Sequence, residues 1–154
     1  MGDADSSLLD RVYLYKRAAQ ISLDHPFAGV GLDNFRVQPR FDGAGPIGTY
    51  SHSNYMEVLV STGFPGFVLY FSVGLMWLWQ LWRLRHLAFS DVEFGRYVRV
   101  TAIVLTYLAM DFATVSYYDK FVWLVMPWLV AEILDMQRLQ VVRIPVSDRL
   151  ERHP

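Results

Sequence analysis

Hydrophobic and polar positions follow two different rules along this chain. Up to about residue 57 they alternate over short distances, and from Val58 onward the apolar residues gather into long runs. The run VLVSTGFPGFVLYFSVGLMWLWQLW, Val58 to Trp82, holds 25 residues and no charge, more than the roughly 20 that a membrane-crossing helix requires. A second run, Val100 to Tyr118, holds one charge, Asp111. A third starts at Phe121 and reaches Ala131 before Glu132 and Asp135. It crosses a bilayer only if its helix continues through Ile133 and Leu134. The pattern predicts an all-α integral membrane protein, with about three transmembrane helices over 65–82, 100–116 and 121–134.

The first run reads as two helices. Gly63-Phe64-Pro65-Gly66 interrupts it, and proline fits the first turn of a helix but not its interior. A short helix is therefore expected from about Tyr55 to Thr62 and a membrane helix from about Pro65 to Trp82. Trp77, Trp79 and Trp82, followed by Arg83 and Arg85, have the make-up of an interfacial aromatic belt with its cationic anchor. The loop 83–99 carries Arg83, Arg85, Arg96 and Arg99, and the tail carries Arg138, Arg143, Arg149 and Arg152. The SYYDK turn between the second and third runs carries only Lys120. The excess of basic residues places loop and tail in the cytoplasm and the first 62 residues outside it. Three regions result: an outer helix-loop segment over 1–62, a membrane region over 63–134 and a cytoplasmic tail over 135–154.

Within the outer segment, Asp5-Ser6-Ser7 can cap a helix whose apolar positions Leu8, Val12, Tyr15, Ala19 and Ser22 recur at helical spacing. Asp24-His25-Pro26 closes it. FAGVGLDNF places Gly29 and Gly31 in a compact turn, and FDGAGPIGT, 41–49, reads as a mobile loop. In SHSNYMEVL, Asn54 with Glu57 three residues later has the spacing of a helix cap, which leaves His52 on irregular backbone just before that helix.

Composition narrows the class of function. Hydrophobic residues make up 53% and charged residues 19%, against about 25% charged in ordinary globular proteins, and mean hydropathy is +0.22. A net charge of −1 offers no basic field for nucleic acid. The chain has no cysteine, which removes disulfides, thiolate zinc sites and cysteine nucleophiles. His52 and Glu57 have no second histidine nearby, so no metal is expected. No Gly-x-Ser-x-Gly elbow is present, and GxG alone does not make a dinucleotide site. Asp111 is an ionisable group in an apolar run and a candidate on that ground alone, although it lies within two turns of SYYDK.

Arg11 followed by Ala18, then HPFAGVGLDNF at 25–35, then His52-Ser53, nine residues, and Gly63-x-x-Gly66 resemble the O-antigen ligase family, which includes related polysaccharide polymerases. The resemblance runs from about residue 8 to 134 and corresponds to the C-terminal part of those multi-pass glycosyltransferases of the bacterial inner membrane. It implies an outer segment in the periplasm and transfer of a glycan from undecaprenyl pyrophosphate to an acceptor hydroxyl, on lipid A-core or on a growing glycan, with no cofactor. It implies further that the activity needs N-terminal helices additional to the three crossings here, and that the chain alone is inactive. His52 would be the catalytic residue, since imidazole can accept a proton at neutral pH. Arg11 matches the family's periplasmic arginine and, with Arg17, would hold the pyrophosphate; Arg36 and Arg40 are less specific candidates. Gly29, Gly31, Asn54, Gly63 and Gly66 would shape the motif. The alternative is a non-catalytic membrane fragment or an assembly subunit.

Overall fold

Gly63 and Pro65, two residues that do not continue a helix, decide the layout of the N-terminal half. The computed structural model describes residues 3–85, 90–116 and 119–143. They form α1 (Asp3–Asp24), a 3-10 turn (Phe35–Val37), α2 (Asn54–Leu84), α3 (Asp91–Met110) and α4 (Lys120–Arg143). Among the described residues there is no strand, only an isolated bridge between Pro39 and Pro46. Inside α2 the backbone leaves helical geometry at Gly63, with φ 70° and ψ −176°. The long apolar run is therefore two helical limbs, as the GFPG sequence predicts.

The helices fall into two units. The first comprises Met1–Val73 and Tyr107–Asp119. Its core joins Leu14, Ala18 and Ile21 of α1 to Phe35, Ile47 and Val60, with Tyr13, Val30 and Met56 packed around them. The register of α1 differs from the one expected. Of Leu8, Val12, Tyr15, Ala19 and Ser22, only Ser22 is buried, and Leu8, Val12 and Ala19 are exposed. The packed face is instead Leu14, Ala18, Ile21 and Ser22, because the loop carrying Phe35 and Ile47 covers that side.

The break in α2 is filled by the loop after α1. In an unbroken helix the carbonyls of Val60 and Ser61 would accept from residues 64 and 65. Phe64 N–H instead donates to the carbonyl of Pro26 (2.7 Å), and Pro65 has no N–H to give. Both orphaned carbonyls are taken up from outside the helix. Val30 N–H donates to Val60 (2.9 Å) and Gly31 N–H to Ser61 (2.9 Å). The contact is backbone on backbone. Gly29, at φ 62°, lies so flat on the helix that a Cβ there would collide with the Ser61 carbonyl. A Cβ on Gly63 would come within 2.6 Å of the Phe27 backbone.

The second unit comprises Gly74–Thr106 and Lys120–Pro154. Trp77, Leu81, Leu84, Val100, Val104, Leu129, Ile133 and Met136 are its buried apolar positions among the described residues. Arg96 of α3 bridges to Glu132 and, at 2.7 Å, to Asp135 of α4, so the two acids that shorten the third apolar run meet a guanidinium. Arg83 and Arg85 lie over the rings of Trp79 and Trp82, at 4.9 and 4.3 Å from their centroids.

Several helix boundaries differ from expectation. α1 already begins at Asp3, so Asp5-Ser6-Ser7 lie inside the helix and do not cap it. The helix expected over 100–116 runs Asp91–Met110. Ser90 and Glu93 form a reciprocal cap, each side chain bonded to the other residue's backbone N–H (Ser90 N to Glu93 Oε2 2.9 Å, Glu93 N to Ser90 Oγ 3.4 Å), which starts the helix nine residues early. The last helix continues past 134 to Arg143. Among the described residues only α2 is long and apolar enough to cross a membrane, with mean hydropathy 1.7 over its best window. Just 22% of that window is buried, unlike the core helix of a water-soluble protein. Residues 86–89 of the basic loop, Tyr117 and Tyr118 of SYYDK, and Arg149 and Arg152 of the tail lie outside the described residues.

Gly29→Ala places a methyl group in the Ser61 carbonyl and should lower the unfolding free energy in detergent micelles by about 3 kcal/mol, combining backbone strain with two lost bonds. Gly43→Ala, at φ 69° with nothing within 4 Å of its Cβ position, should cost only the backbone share, about 1 kcal/mol. Denaturant titration of the two variants checks the difference.

Candidate functional site: a histidine turned out of a buried polar turn

Residues 51–54 form a turn in which three of four side chains face inward. Ser51, Ser53 and Asn54 are buried, and His52 alone is exposed. His52 has φ 58°, left-handed backbone that a β-carbon disfavours, so neighbouring bonds must hold it there. Ser51 N–H donates to Glu57 Oε2 (2.9 Å) and Ser51 Oγ to the Ser53 carbonyl (2.9 Å). Glu57 N–H donates to that same carbonyl (2.9 Å), the first helical bond of α2. On the other side, Asn54 N–H and Ser53 Oγ donate to the Asp111 carbonyl (2.8 and 3.3 Å). Ser116 N–H donates to Asn54 Oδ1 (3.2 Å), and Ser116 Oγ to Asp111 Oδ1 (2.6 Å). The apparent helix cap of Asn54 and Glu57 is thus a wider layer in which each residue ties the turn to a different segment.

Glu57 has no exposed surface, and it lies in the short limb ahead of the helix break. Burial raises its carboxyl above the ordinary carboxylate range, opposed by the hydrogen bonds from Ser51. Its Oε1 has no hydrogen-bond partner among the described residues.

His52 borders a pocket of about 220 Å³, shared with Asp10, Tyr13 and Leu14 of α1 and with Arg40, Ile47 and Thr49 of the following loop. Arg11 is half-buried beside Asp10 on α1, and no hydrogen bond or ion pair reaches it among the described residues. Arg17 does not line the pocket. Its Nε donates to the Pro39 carbonyl (2.8 Å) and its guanidinium lies 5.0 Å from the centre of the Phe41 ring. Phe41 meets Tyr13 edge-on at 5.4 Å, and its N–H donates to the Tyr13 hydroxyl (3.1 Å). Arg40 covers the Tyr13 ring at 5.4 Å. This ladder of rings and cations holds the FDGAGPIGT loop against α1. Arg36 pairs with Asp33 at 2.5 Å, which raises its pKa chiefly through that hydrogen bond.

Sequence reading names His52 and Arg11, gives Arg40 little weight and omits Asp10, Tyr13 and Thr49. Their signal was the helical spacing of 10, 13 and 14, which became informative only with the packed face of α1 known. Gly31, at φ 94°, lies 2.9 Å (from its Cβ position) from the Asn34 side chain, and a Cβ on Gly66 would overlap the Thr62 side chain. Among the described residues no group of three or more His, Cys, Asp or Glu could hold a metal ion.

Residues 1–71 match the family model described as O-antigen ligase. Over these residues the chain is similar to the O-antigen ligase family. No curated protein and no solved structure matches the chain significantly. The matched segment contains α1, the loop that fills the helix break, the pocket and the His52 turn. Asp111 and Ser116, which complete the buried polar layer, lie beyond it.

Glu57→Gln should keep the Ser51 bond, because an amide oxygen accepts as a carboxylate does, and should remove a pH dependence. A carboxyl whose pKa is raised by folding supports the fold below its unfolded pKa. That support is lost as pH rises through the raised value. The variant should therefore gain stability relative to wild type above that range and match it in acid. Glu57→Ala leaves the Ser51 N–H buried and unpaired and should cost about 1–3 kcal/mol. Unfolding followed across pH checks both.

Proposed function

We propose that the chain is the C-terminal part of a multi-pass membrane glycosyltransferase of the bacterial inner membrane, which moves a glycan from undecaprenyl pyrophosphate to an acceptor hydroxyl. The acceptor is lipid A-core in ligation or a second glycan in polymerisation. One observation carries the reading most: within a family-matched segment, His52 is the single side chain that a buried turn sends outward, and it borders a pocket that also holds a cation, Arg40. The three crossings over 65–82, 100–116 and 121–134, with residues 1–62 in the periplasm and the C-terminus in the cytoplasm, are part of this proposal.

The residues suit the chemistry. A ring nitrogen of His52 takes the proton of the acceptor hydroxyl as its oxygen bonds to the anomeric carbon. The bond from that carbon to the phosphate oxygen breaks, and its electron pair leaves with undecaprenyl pyrophosphate. Charge therefore grows on the leaving pyrophosphate, where guanidinium groups stabilise it. Arg11, with no bond partner among the described residues, and Arg40, at the pocket, supply those cations. Arg17, bonded to Pro39 and stacked on Phe41, contributes by holding the loop that carries Arg40.

In a longer enzyme containing this segment, His52→Ala should reduce acceptor-linked surface polysaccharide by about 10²–10⁴-fold, the usual weight of general acid–base catalysis, with membrane insertion unchanged. Arg11→Lys should also impair transfer, since an ammonium keeps the charge and loses the planar fork. Wild-type polysaccharide from the His52→Ala enzyme would remove the transfer role of His52. The chain alone should insert and restore no polysaccharide in a ligase-deficient strain. A reporter placed near Gly45 should be active only in the periplasm and one after Leu150 only in the cytoplasm.

A further inference from the structure

Helix α1 has two apolar faces and packs only one of them. Leu14, Ala18, Ile21 and Ser22 are buried in the first unit. A second stripe, Leu8, Val12, Tyr15, Ala19 and Leu23, follows the spacing of a helix face, and among its residues Leu8, Val12, Ala19 and Leu23 are exposed. The stripe continues past the helix end to Phe27. Leu23 and Phe27 are 80% and 81% exposed. Bare apolar surface on this scale needs a covering medium.

Two contacts show what lies on that side. Tyr15, the stripe's central residue, donates its hydroxyl to the Phe112 carbonyl (3.2 Å), in the turn that ends α3. Pro26, next to Phe27, accepts from Phe64 N–H (2.7 Å), one residue before the apolar limb of α2 begins at Pro65. Met110, Phe112 and Phe64 are themselves exposed. The stripe is thus tied at its centre and at its end to the outer ends of two helices that the functional reading places in the bilayer. The other exposed side of α1 is mainly polar, with Asp10, Lys16, Gln20 and Asp24 around one exposed leucine, Leu9. An apolar stripe backed by a polar face, at the level where spanning helices emerge, has the form of a helix lying in a membrane interface.

We propose that α1 and the Pro26–Phe27 turn lie on the outer leaflet, with Leu8, Val12, Ala19, Leu23 and Phe27 in contact with lipid. The short limb of α2 limits how far His52 can then stand from the bilayer. Gly63 lies eleven positions after His52, about 16 Å at 1.5 Å per helical residue. The inference rests on the membrane reading of α2 but not on the transfer chemistry.

The absence of cysteine allows a direct test by single nitroxide labels on the full chain in phosphatidylethanolamine–phosphatidylglycerol vesicles. Labels replace Val12, Leu23, Phe27, Gln20, Asp42 and Leu69, and collisions with oxygen and with a water-soluble nickel chelate are compared. Val12→Cys, Leu23→Cys and Phe27→Cys should show an oxygen-to-nickel ratio several-fold above that of Gln20→Cys and Asp42→Cys. Nickel access at 12, 23 and 27 equal to that at 20 and 42 overturns the proposal while Leu69→Cys, on the α2 limb, still reports lipid. Shielding of 12, 23 and 27 from both reagents also overturns it, because a protein surface then covers the stripe. Nickel access at Leu69→Cys removes the membrane reading and this inference together.

Discussion

Two carbonyl groups without helical donors are the constraint on which the N-terminal half depends. A proline at 65 and a left-handed glycine at 63 leave the carbonyls of Val60 and Ser61 unbonded inside an apolar helix, where an unpaired polar group costs kilocalories. The loop 26–31 answers that need with Val30 and Gly31 N–H and takes Phe64 N–H in return. The glycines of HPFAGVG and those of GFPG are halves of one joint. Gly29 and Gly63 are needed because there the two backbones approach closer than a β-carbon allows.

The joint has consequences at both ends of the short limb 54–62. At its far end it fixes α1 and its loop beside α2, so that Leu14, Ile47 and Val60 share a core and the pocket takes shape between α1 and the loop. At its near end the buried layer of Ser51, Ser53, Asn54, Glu57 and Asp111 holds the turn that turns His52 outward. A left-handed histidine is an unfavourable conformation. The hydrogen bonds made by its neighbours Ser51, Ser53 and Asn54 are the local compensation. The proposed transfer chemistry draws on this arrangement, in which the reactive side chain is the one member of its turn that makes no structural bond.

Much of this was legible in the sequence, for identifiable reasons. Proline and glycine act locally, so the split of α2 and the end of α1 at Asp24 could be read directly. The buried face of α1 could not. The helix has apolar residues on two adjacent faces, and the choice between them is made by Phe35 and Ile47 from a loop whose glycines and prolines suggested mobility. The start of α3 was missed because Ser90 and Glu93 form a cap in a charged stretch that hydropathy assigns to a loop. Arg17 and Arg40 look alike in sequence. Only the ladder through Phe41 and Tyr13 separates an arginine that holds the loop from one that reaches the pocket.

The joint itself can be measured through the amide protons that it consumes. Hydrogen exchange of Val30 and Gly31 in the intact chain should be slow, close to that of amides within α2, while Ala28, whose N–H appears in none of these bonds, exchanges quickly. Fast exchange at both Val30 and Gly31, matching Ala28, would contradict the account, for the loop would then not hold the helix break and the position of His52 would need another cause.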